Sequence, residues 1–371
     1  MGRAVAPVHR RLRVRLVNVT ILGGKRAAAL DAAADRLGVD RAQHVAWLGL
    51  VNGAKSLSDV VRHGNITRLD APGRCAETEL ALLRRGGYDG PPPEHGQLVD
   101  ASAWYAGYAD TLRDIAAQLD AAPPHEAVAS PADCIVMCDK LATAERLQVA
   151  GVPTPPTRVA GSVDDVWKCP WPAMFVKLRF GSSGSGIVAL RRSGRGSVHA
   201  VTSVELDGPN LFNTRRLRRL IDTQSLDQLL RRLLPMGCVV QPWIRKAGVA
   251  GGTFDLRVFV LAGRASHVVP RVSRSPITNL HLLNQRGDLN EVINAVGDAA
   301  WRDAIKTAES AAGCFRESLH CGVDLAIDTR GRPWVIEVNA FGDLLPNLLD
   351  ANGDDTHTAQ LRHLLGKRAA A

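Results

Sequence analysis

The stretch HCGVDLAIDTRGRPWVIEVNAFGD, from His320 to Asp343, decides the fold of this chain. It holds two strand-like runs, Gly322 to Asp328 and Pro333 to Asn339, with a short polar turn between them. The turn carries Gly331, and glycine tolerates the positive φ that tight turns require. The pattern therefore predicts a β-hairpin.

The register of this hairpin would place two carboxylates opposite each other. We expect a two-residue loop at Arg330 and Gly331, and counting outward from it pairs Asp324 with Glu337. Asn339 then lies on the same face, because side chains alternate along a strand with a period of two. Opposed carboxylates repel, and a divalent cation would remove the repulsion. Two carboxylates and an amide suit Mg²⁺, whereas the alternative is a hairpin whose acidic face is only solvated.

The whole chain has 371 residues, enough for two or three domains with their own cores. Its formal net charge of +9 favours an anionic partner, which could be a nucleotide, a phosphate, an acidic peptide or nucleic acid. Aromatic residues make up 5% of the chain and no RNA- or DNA-reading motif is present, so we expect no nucleic-acid partner. No apolar run reaches the length of a membrane span, so we expect no membrane partner.

The cysteines predict a reducing compartment. They are odd in number and scattered, without the spacing of a zinc site or a disulfide framework. No apolar stretch follows the arginines of the first 13 residues, so we expect a loose basic tail, no signal segment and a cytoplasmic protein. The oligomeric state has no signature in the sequence. The cysteines are Cys75, Cys134, Cys138, Cys169, Cys238, Cys314 and Cys321.

The first part of the chain is typical of an open α/β layer. We predict a strand over Leu12 to Leu22, a turn at Gly23-Gly24 and a helix over Lys25 to Leu37. The proline-rich Gly90 to Gly96 is predicted as a linker. Leu98 to Leu119 is predicted as a helix whose aromatic side chains form either a core face or the wall of a substrate site.

A second informative stretch is MFVKLRFGSSGSGIVAL, from Met174 to Leu190. We predict a strand that carries Lys177, a glycine–serine loop and a returning strand. Such a loop lets backbone N–H groups approach a polyphosphate, and a lysine supplies a point charge. Either this is a lid over phosphates or it is a plain surface loop. Upstream, Asp139-Lys140 precedes a helix predicted over Leu141 to Ala150.

Three further segments follow in order. Arg215 to Arg219 is predicted to open a helix that continues over Leu226 to Leu234, with the arginines on a solvated face. The apolar Cys238 to Ile244 is predicted as a strand whose end could contact an adenine edge. Phe254 to Leu261 and Arg264 to Val272 are predicted as a hairpin whose arginines could clamp phosphate.

Taken together, these motifs resemble the ATP-grasp superfamily, especially the branch of the ribosomal-protein S6 glutamate ligase and D-alanine–D-alanine ligase. The resemblance covers about residues 130–349 and rests on the order of the motifs. It implies an α/β (α+β) fold in which two α+β lobes clamp ATP, preceded by an open α/β domain. The implied division is an N-terminal α/β domain over 1–129, a central and lid subdomain over 130–245, and a magnesium and catalytic subdomain over 246–371.

The resemblance also implies roles for individual residues. Lys177, Arg257 and Arg271 match catalytic positions. The metal ligands, for two Mg²⁺ ions with Mn²⁺ as a substitute, would be Asp324, Glu337 and Asn339. The nucleotide-binding positions that match are Lys140, Lys177, Gly181, Ser182, Ser183, Gly184, Ser185, Gly186, Gln241, Trp243, Ile244 and Asn279.

The chain departs from the family pattern in places. Gln241 stands where a glutamate is usual, and no ribose-binding acid follows it, so Lys246 or a backbone group would take that role. Leu282-Leu283 replaces a glycine pair, and Phe341-Gly342-Asp343 replaces Ser-Pro-Gly. The last two changes lie near the acceptor pocket, so they concern the substrate more than the nucleotide.

The resemblance implies an ATP-dependent carboxylate–amine or carboxylate–thiol ligase that works through an acylphosphate and releases ADP and phosphate. Its substrates would be carboxylates and amines, either small molecules or peptides. Two alternatives stay open: an ATP-grasp kinase that phosphorylates a hydroxyl, and a non-catalytic nucleotide-binding protein. Retention of the acidic triad and both lysines argues against the second alternative.

Overall fold

Three β-sheets organise the part of the chain that the computed structural model describes, which is residues 15–370 without 74, 183, 194–196, 283 and 343–344. The expectations for the basic tail, Ser183, Leu283 and Asp343 lie outside these described residues. Helices pack between and around the sheets. The predicted α/β (α+β) class is thereby confirmed.

The first sheet is parallel. The elements up to residue 150 are β1 Leu16–Thr20, α1 Lys25–Leu37, β2 Gln43–Ala46, α2 Trp47–Val51, β3 Ile66–Leu69, α3 Ala76–Arg85, β4 Gln97–Leu98, α4 Ala101–Asp120, β5 Glu126–Ala127, α5 Pro131–Met137 and α6 Lys140–Val149. Strands β2-β1-β3-β5 form the sheet in that order. The helix predicted over Lys25 to Leu37 is confirmed. The first strand is shorter at its C-terminal end than predicted, because Gly23 turns the chain with φ +69°.

The second sheet has seven strands, in the order β4-β10-β9-β8-β7-β11-β6. The elements from residue 151 to 245 are β6 Arg158–Ala160, α7 Val163–Lys168, β7 Ala173–Leu178, β8 Val188–Arg192, β9 Val198–Asp207, β10 Asn210–Leu220, α8 Thr223–Leu233 and β11 Cys238–Pro242. Neighbouring strands are antiparallel throughout. The predicted strand–loop–strand around Lys177 is confirmed as β7 and β8.

The helix predicted to begin at Arg215 to Arg219 was wrong, because these arginines lie in strand β10. A tight turn with Gly208 at φ +51° returns the chain directly onto β9, so the residues that follow pair as a strand. The helix begins only at Thr223. Asp222 caps it, since its Oδ1 accepts a hydrogen bond from Ser225 N at 2.7 Å.

The third sheet has the order β15-β14-β13-β16-β17, and β12 also pairs with β13. The remaining elements are β12 Gly248–Val249, β13 Gly252–Leu261, β14 Arg264–Ser273, β15 Gln285–Arg286, α9 Leu289–Val296, α10 Asp298–Ala312, β16 His320–Ile327, β17 Pro333–Asn339 and α11 Thr356–Ala370. Both predicted hairpins, β13–β14 and β16–β17, are present.

The loop of the β16–β17 hairpin is longer than predicted. Asp328 N donates a hydrogen bond to Arg332 O at 2.9 Å, which leaves the three residues 329–331 in the loop. The predicted two-residue loop was therefore wrong. Gly331 does take the expected positive φ, at +79°.

A β-bulge restores the pairing that the shorter loop would have produced. Leu325 pairs with Val335, whereas Asp324 pairs with Glu337, so Ile336 is an extra residue in β17. A bulge shifts the register by one residue and thereby changes which side chains oppose each other. The predicted pair Asp324–Glu337 is confirmed, although by a different route.

One apolar core joins the first and third sheets. It contains Val17 and Trp47 from the first sheet region, Leu112 of α4, and Phe254 and Val323 of the third sheet. A separate core lies between the second sheet and α8. Among the helices of the described residues, none combines the length and the apolar composition that a membrane span requires.

Candidate functional site

An acidic face on strands β16 and β17 forms the centre of the candidate site. Asp324 and Glu337 are directly paired across the two strands, and Asn339 pairs with Gly322 one step along the same face. Asn339 Nδ2 donates to Gly322 O at 3.4 Å. The Asp324 side chain is 10% exposed and that of Glu337 is 26% exposed, so the face opens toward Glu337.

Two arginines bind the buried end of this face. Arg257 is the cross-strand partner of Asp324, and its Nη2 donates to Asp324 Oδ2 at 3.0 Å. Arg271 Nη2 lies 3.1 Å from the same oxygen. Burial alone would raise the pKa of Asp324, but the two guanidinium groups outweigh it and lower that pKa. Asp324 is therefore held as a carboxylate.

A second carboxylate, Asp255, orders the far side of Arg271. Arg271 Nε donates to Asp255 Oδ1 at 2.6 Å, and Lys246 Nζ donates to Asp255 Oδ2 at 3.1 Å. Lys246 Nζ also donates to Thr278 Oγ1 at 2.7 Å. Burial opposes ionisation of Asp255, yet these cations hold its pKa well below the ordinary value. The structure thus places Lys246, considered above for the ribose, in the arginine–aspartate network.

Lys140 reaches the acidic face from helix α6. Its Nζ lies 3.8 Å from Glu337 Oε1 and donates a hydrogen bond to Gly181 O in the glycine–serine loop. Asp139 caps the helix by accepting from Leu141 N at 2.9 Å, and Arg179 Nε donates to the same carboxylate at 2.7 Å. The helix start therefore fixes both the lysine and the loop.

Lys177 points into the same cleft from strand β7. Its Nζ donates to Gln241 Oε1 at 2.7 Å, and Gln241 Nε2 donates in turn to Thr157 Oγ1 at 2.8 Å. Burial lowers the pKa of Lys177 to about 8, and Glu337 acts in the opposite direction. Gln241, at the position of the family's usual glutamate, thus orients a lysine that is protonated at neutral pH.

The glycine–serine loop closes over the edge of the cleft. Gly184 and Gly186 have positive φ, +75° and +62°. Ser203 Oγ donates to Gly184 O at 2.8 Å, and a Cβ at Gly184 would lie 3.2 Å from Leu282 Cδ1. Ser185 N donates to Ser182 O at 2.9 Å. The loop is therefore packed against the segment around Leu282, and a larger residue at Gly184 would be strained by the positive φ and would require Leu282 to shift.

Apolar side chains pack the second sheet against the segment that follows β14. Phe175 and Ala189 of the second sheet pack with Ile277 and Leu282 of the segment after β14. Trp243 joins them with its ring 5.4 Å from that of Phe175. Ile244 and Asn279 are half-buried in the segments that border this apolar cluster. Trp243, predicted to contact the nucleotide at the end of β11, thus belongs to this apolar cluster.

The donor set on the acidic face fits Mg²⁺ in type. Two carboxylates and an amide are oxygen ligands, and Asp324 is held ionised. No group of three His, Cys, Asp or Glu side chains within the described ranges is arranged to hold a metal, so the amide of Asn339 is needed to complete the set. Oδ1 of Asp324 accepts from Arg257, and Oδ2 contacts both Arg257 and Arg271, so an ion would share this carboxylate with the two guanidinium groups.

A buried polar network beside the site was missed from the sequence. Asp70, directly after β3, pairs with Arg68 and Arg26 at 3.2 Å each. Arg26 Nη1 also donates to Phe341 O at 3.0 Å, which ties the first sheet to the segment after the acidic face. Both ring nitrogens of the nearby His320 are buried and have no hydrogen-bond partner among the described residues, and burial lowers its pKa to about 3. The one signal was an aspartate at the carboxyl end of a parallel strand.

A model of the YheC/D-like ATP-grasp family matches residues 139–343, more than half of the chain. The chain belongs to the YheC/D-like ATP-grasp family. The expectation of an ATP-grasp enzyme with the ATP-grasp fold is thereby confirmed. A comparison with curated proteins finds no match to this sequence.

Solved ATP-grasp structures share the fold over nearly the whole length. D-cycloserine synthetase DcsG has a TM-score of 0.56 at 14% identity, over 95% of this chain and 99% of that chain. ATP-grasp ligase PsnB complexed with a minimal precursor has a TM-score of 0.55 at 14% identity, over 96% and 99%. D-alanine–D-alanine ligase from Bacillus anthracis complexed with ATP has a TM-score of 0.50 at 13% identity, over 96% of each chain.

Proposed function

We propose that this YheC/D-like ATP-grasp protein is an ATP-dependent carboxylate–amine ligase. The observation that supports it most is the meeting of opposite charges: Lys140 of helix α6 and Lys177 of the second sheet approach the paired Asp324 and Glu337 of the third sheet. Lysines facing a carboxylate pair suit a polyphosphate held with a divalent cation. The neighbouring structures include ligases, which agrees with this reaction class.

In the proposed reaction the protein mainly positions the substrates and neutralises the negative charge of the phosphates. Lys140 and Lys177 would bind the phosphates, while Arg257 and Arg271 would offset charge as the γ-phosphoryl group moves to a substrate carboxylate. The acylphosphate so formed is attacked by an amine nitrogen, the bond from carbonyl carbon to phosphate oxygen breaks, and phosphate leaves. Thiols could act as the nucleophile in the same way.

The same proposal assigns the other residues. Asp324, Glu337 and Asn339 would hold two Mg²⁺ ions, or Mn²⁺ in their place, and the ions would supply charge neutralisation at the β- and γ-phosphates. The loop from Gly181 to Gly186 would cover the phosphates and exclude water from the acylphosphate. Gln241, Trp243, Ile244 and Asn279 would contact the nucleotide at the end of β11 and the opposite side of the cleft.

Substrates and setting complete the proposal. The carboxylate and amine would be small molecules or peptides; PsnB, a structural neighbour, is a ligase whose structure contains a precursor. We propose a cytoplasmic enzyme that works without nucleic acid or membrane. We further propose that residues 1–129, 130–245 and 246–371 divide the labour into substrate, nucleotide-lid and catalytic parts.

A product screen tests the reaction. Purified protein is incubated with Mg²⁺, ATP and crossed panels of amino acids, peptides and other carboxylates, and ADP, AMP and phosphate are measured. A ligase releases ADP and phosphate only when carboxylate and amine are both present, and the product mass equals their sum less one water. AMP release would exclude the acylphosphate route, and a stable phosphorylated product without free phosphate would identify a kinase.

Isotope transfer tests the intermediate. With a carboxylate labelled in both oxygens with ¹⁸O, the acylphosphate route delivers one labelled oxygen to the released phosphate, because the bridging oxygen leaves with phosphorus. Ligation that leaves the phosphate unlabelled would contradict the proposed intermediate while leaving the ligase assignment intact.

A further inference from the structure

Strand β10 has an outer edge that is largely unpaired. The neighbouring strand β4 meets it only at Leu211 and Phe212, and Asn213 N donates to Gly96 O at 2.7 Å just beyond them. Along the rest of β10, no strand of the described residues pairs with this side. A free strand edge offers a row of backbone donors and acceptors to another extended chain.

A large bulge interrupts the pairing of β10 with β9. The register with β9 jumps between Asn213, opposite Val204, and Arg218, opposite Thr202. The four residues 214–217 thus stand opposite the single residue Ser203. Leu217 of this bulge packs against the apolar cluster that contains Phe175 and Leu282, and this contact holds the bulge in place.

The outer edge of β10 is strongly cationic. Arg215, Arg216 and Arg219 are exposed, and none of them has an ion pair with any residue that the structure describes. Arg218 is different, because its Nη1 pairs with Glu205 at 2.7 Å. Three uncompensated positive charges within five residues attract an acidic partner.

The edge is continuous with the proposed site. Arg219 pairs with Val201, Val201 pairs with Ala189, and Ala189 pairs with Phe175. Paired residues of an antiparallel sheet share a face, so Arg219 lies on the same face as Phe175 of that apolar cluster. A chain held along β10 would therefore pass beside the cleft.

We propose that the outer edge of β10, from Thr214 to Leu220, docks an extended acidic peptide as an added strand. Backbone hydrogen bonds would supply general affinity, and acidic side chains would pair with Arg215, Arg216 and Arg219. A peptide fits better than nucleic acid, because a phosphodiester chain has no backbone N–H to pair with the carbonyls of the edge. Docking lies away from the reacting groups and goes beyond the ligase activity.

A binding assay without ATP tests the docking independently of the chemistry. The probe is a fluorescein-labelled twelve-residue peptide with glutamate and valine in alternation, and its anisotropy is measured against the full-length protein at fixed salt. Arg215→Glu, Arg216→Glu and Arg219→Glu combined should weaken binding by about tenfold or more. Arg302→Glu, Lys306→Glu and Arg330→Glu combined, which change the net charge equally at other exposed positions, should change it by less than about twofold.

Four results would overturn the proposal. Failure of the wild-type protein to bind the peptide would do so, as would equal weakening by both triple variants, which would indicate net charge alone. A peptide N-methylated at alternate residues keeps its charges but cannot donate those backbone hydrogen bonds, and equal binding of it would exclude strand addition. Tighter binding of a single-stranded RNA of equal charge would assign the edge to nucleic acid instead. Melting temperatures of both variants verify that they are folded.

Discussion

Glu337 is the residue on which the proposed chemistry depends most directly. Replacing Glu337 with Gln keeps the size of the side chain and removes the charge that faces Lys140 at 3.8 Å. We expect Mg²⁺-dependent ATP turnover to fall by about 100-fold or more, because a neutral amide binds a divalent cation poorly. ADP release is the measurement, with circular dichroism to verify the fold.

The control for this variant is Glu145→Gln, an exposed carboxylate on α6. It should leave turnover within about twofold of wild type, because an exposed side chain away from the cleft contributes little. Full activity of the Glu337 variant would remove the ligase assignment.

Lys177 should give ATP binding a dependence on pH. Burial lowers its pKa to about 8, so the side chain is cationic below that pH and neutral above it. We expect the affinity for ATP in the absence of turnover to weaken by about tenfold between pH 7 and pH 9.5, since one charged hydrogen bond to phosphate is lost. Calorimetry with a non-hydrolysable ATP analogue measures this.

The Lys177→Met variant tests whether the pH dependence of ATP affinity comes from Lys177 or from another titrating group. The variant should bind the analogue weakly at pH 7 and show little further weakening up to pH 9.5. A variant that keeps the wild-type pH profile would show that another group is responsible.

At the scale of elements, helices α3 and α4 approach each other through glycine. A Cβ at Gly107 would collide with the backbone oxygen of Leu82, and one at Gly86 would collide with that of Ala103. Gly107→Ala should therefore lower the free energy of unfolding by about 1–3 kcal/mol, because the helices must move apart. Urea denaturation measures the change.

Gly366→Ala is the matched control for that substitution. Gly366 lies within α11 and a Cβ there meets no atom within 4 Å. The same change should raise the free energy of unfolding by about 0.5–1 kcal/mol, since alanine loses less backbone freedom in a helix. Equal effects of the two variants would contradict the close packing of α3 on α4.

Hairpins and strands around the site could be predicted because their patterns are local. The alternation in β16 and β17 marks one face, and this face carries Asp324, Glu337 and Asn339. The loop length was wrong because nothing in the sequence marks Ile336 as a bulged residue. The helix prediction for Arg215 to Arg219 was wrong because a run of charges has no strand periodicity. These residues lie in β10 because the turn at Gly208 returns the chain onto β9.

At the scale of the whole molecule, Asp70 supports a buried charge network between distant parts of the chain. It is fully buried and pairs with Arg26 and Arg68. Asp70→Asn leaves the buried Arg68 and the partly buried Arg26 without their carboxylate, so the free energy of unfolding at pH 7 should fall by about 3–5 kcal/mol. Asp110→Asn removes an exposed pair with Arg113 and should cost less than about 1 kcal/mol.

The difference in unfolding free energy between wild type and Asp70→Asn should also depend on pH. Burial alone would raise the pKa of Asp70, but Arg68 and Arg26 lower it below its ordinary value. A carboxylate with a lowered pKa in the folded state stabilises the fold above its unfolded pKa and loses that contribution as the pH falls. The gap between wild type and Asp70→Asn, measured by urea denaturation, should therefore narrow below about pH 4.

This network could not be predicted from the sequence. Arg26 and Phe341, whose contact ties the first sheet to the acidic face, are 315 positions apart. Local periodicity identifies strands and helices, but it does not specify which ends of separate sheets meet. The order of the motifs indicated the residues of the proposed nucleotide site, whereas the contacts of Lys246 with Asp255 and Thr278 are visible only in three dimensions.

The apolar core shared by the first and third sheets has a practical consequence for anyone who shortens the chain. A fragment limited to the family-matched residues 139–343 would lack Val17, Trp47 and Leu112, which cover that core. The third sheet of such a fragment would then expose a large apolar surface to water, which promotes self-association. Expression of the isolated 139–343 fragment should therefore yield aggregates, whereas the 371-residue chain should remain in solution.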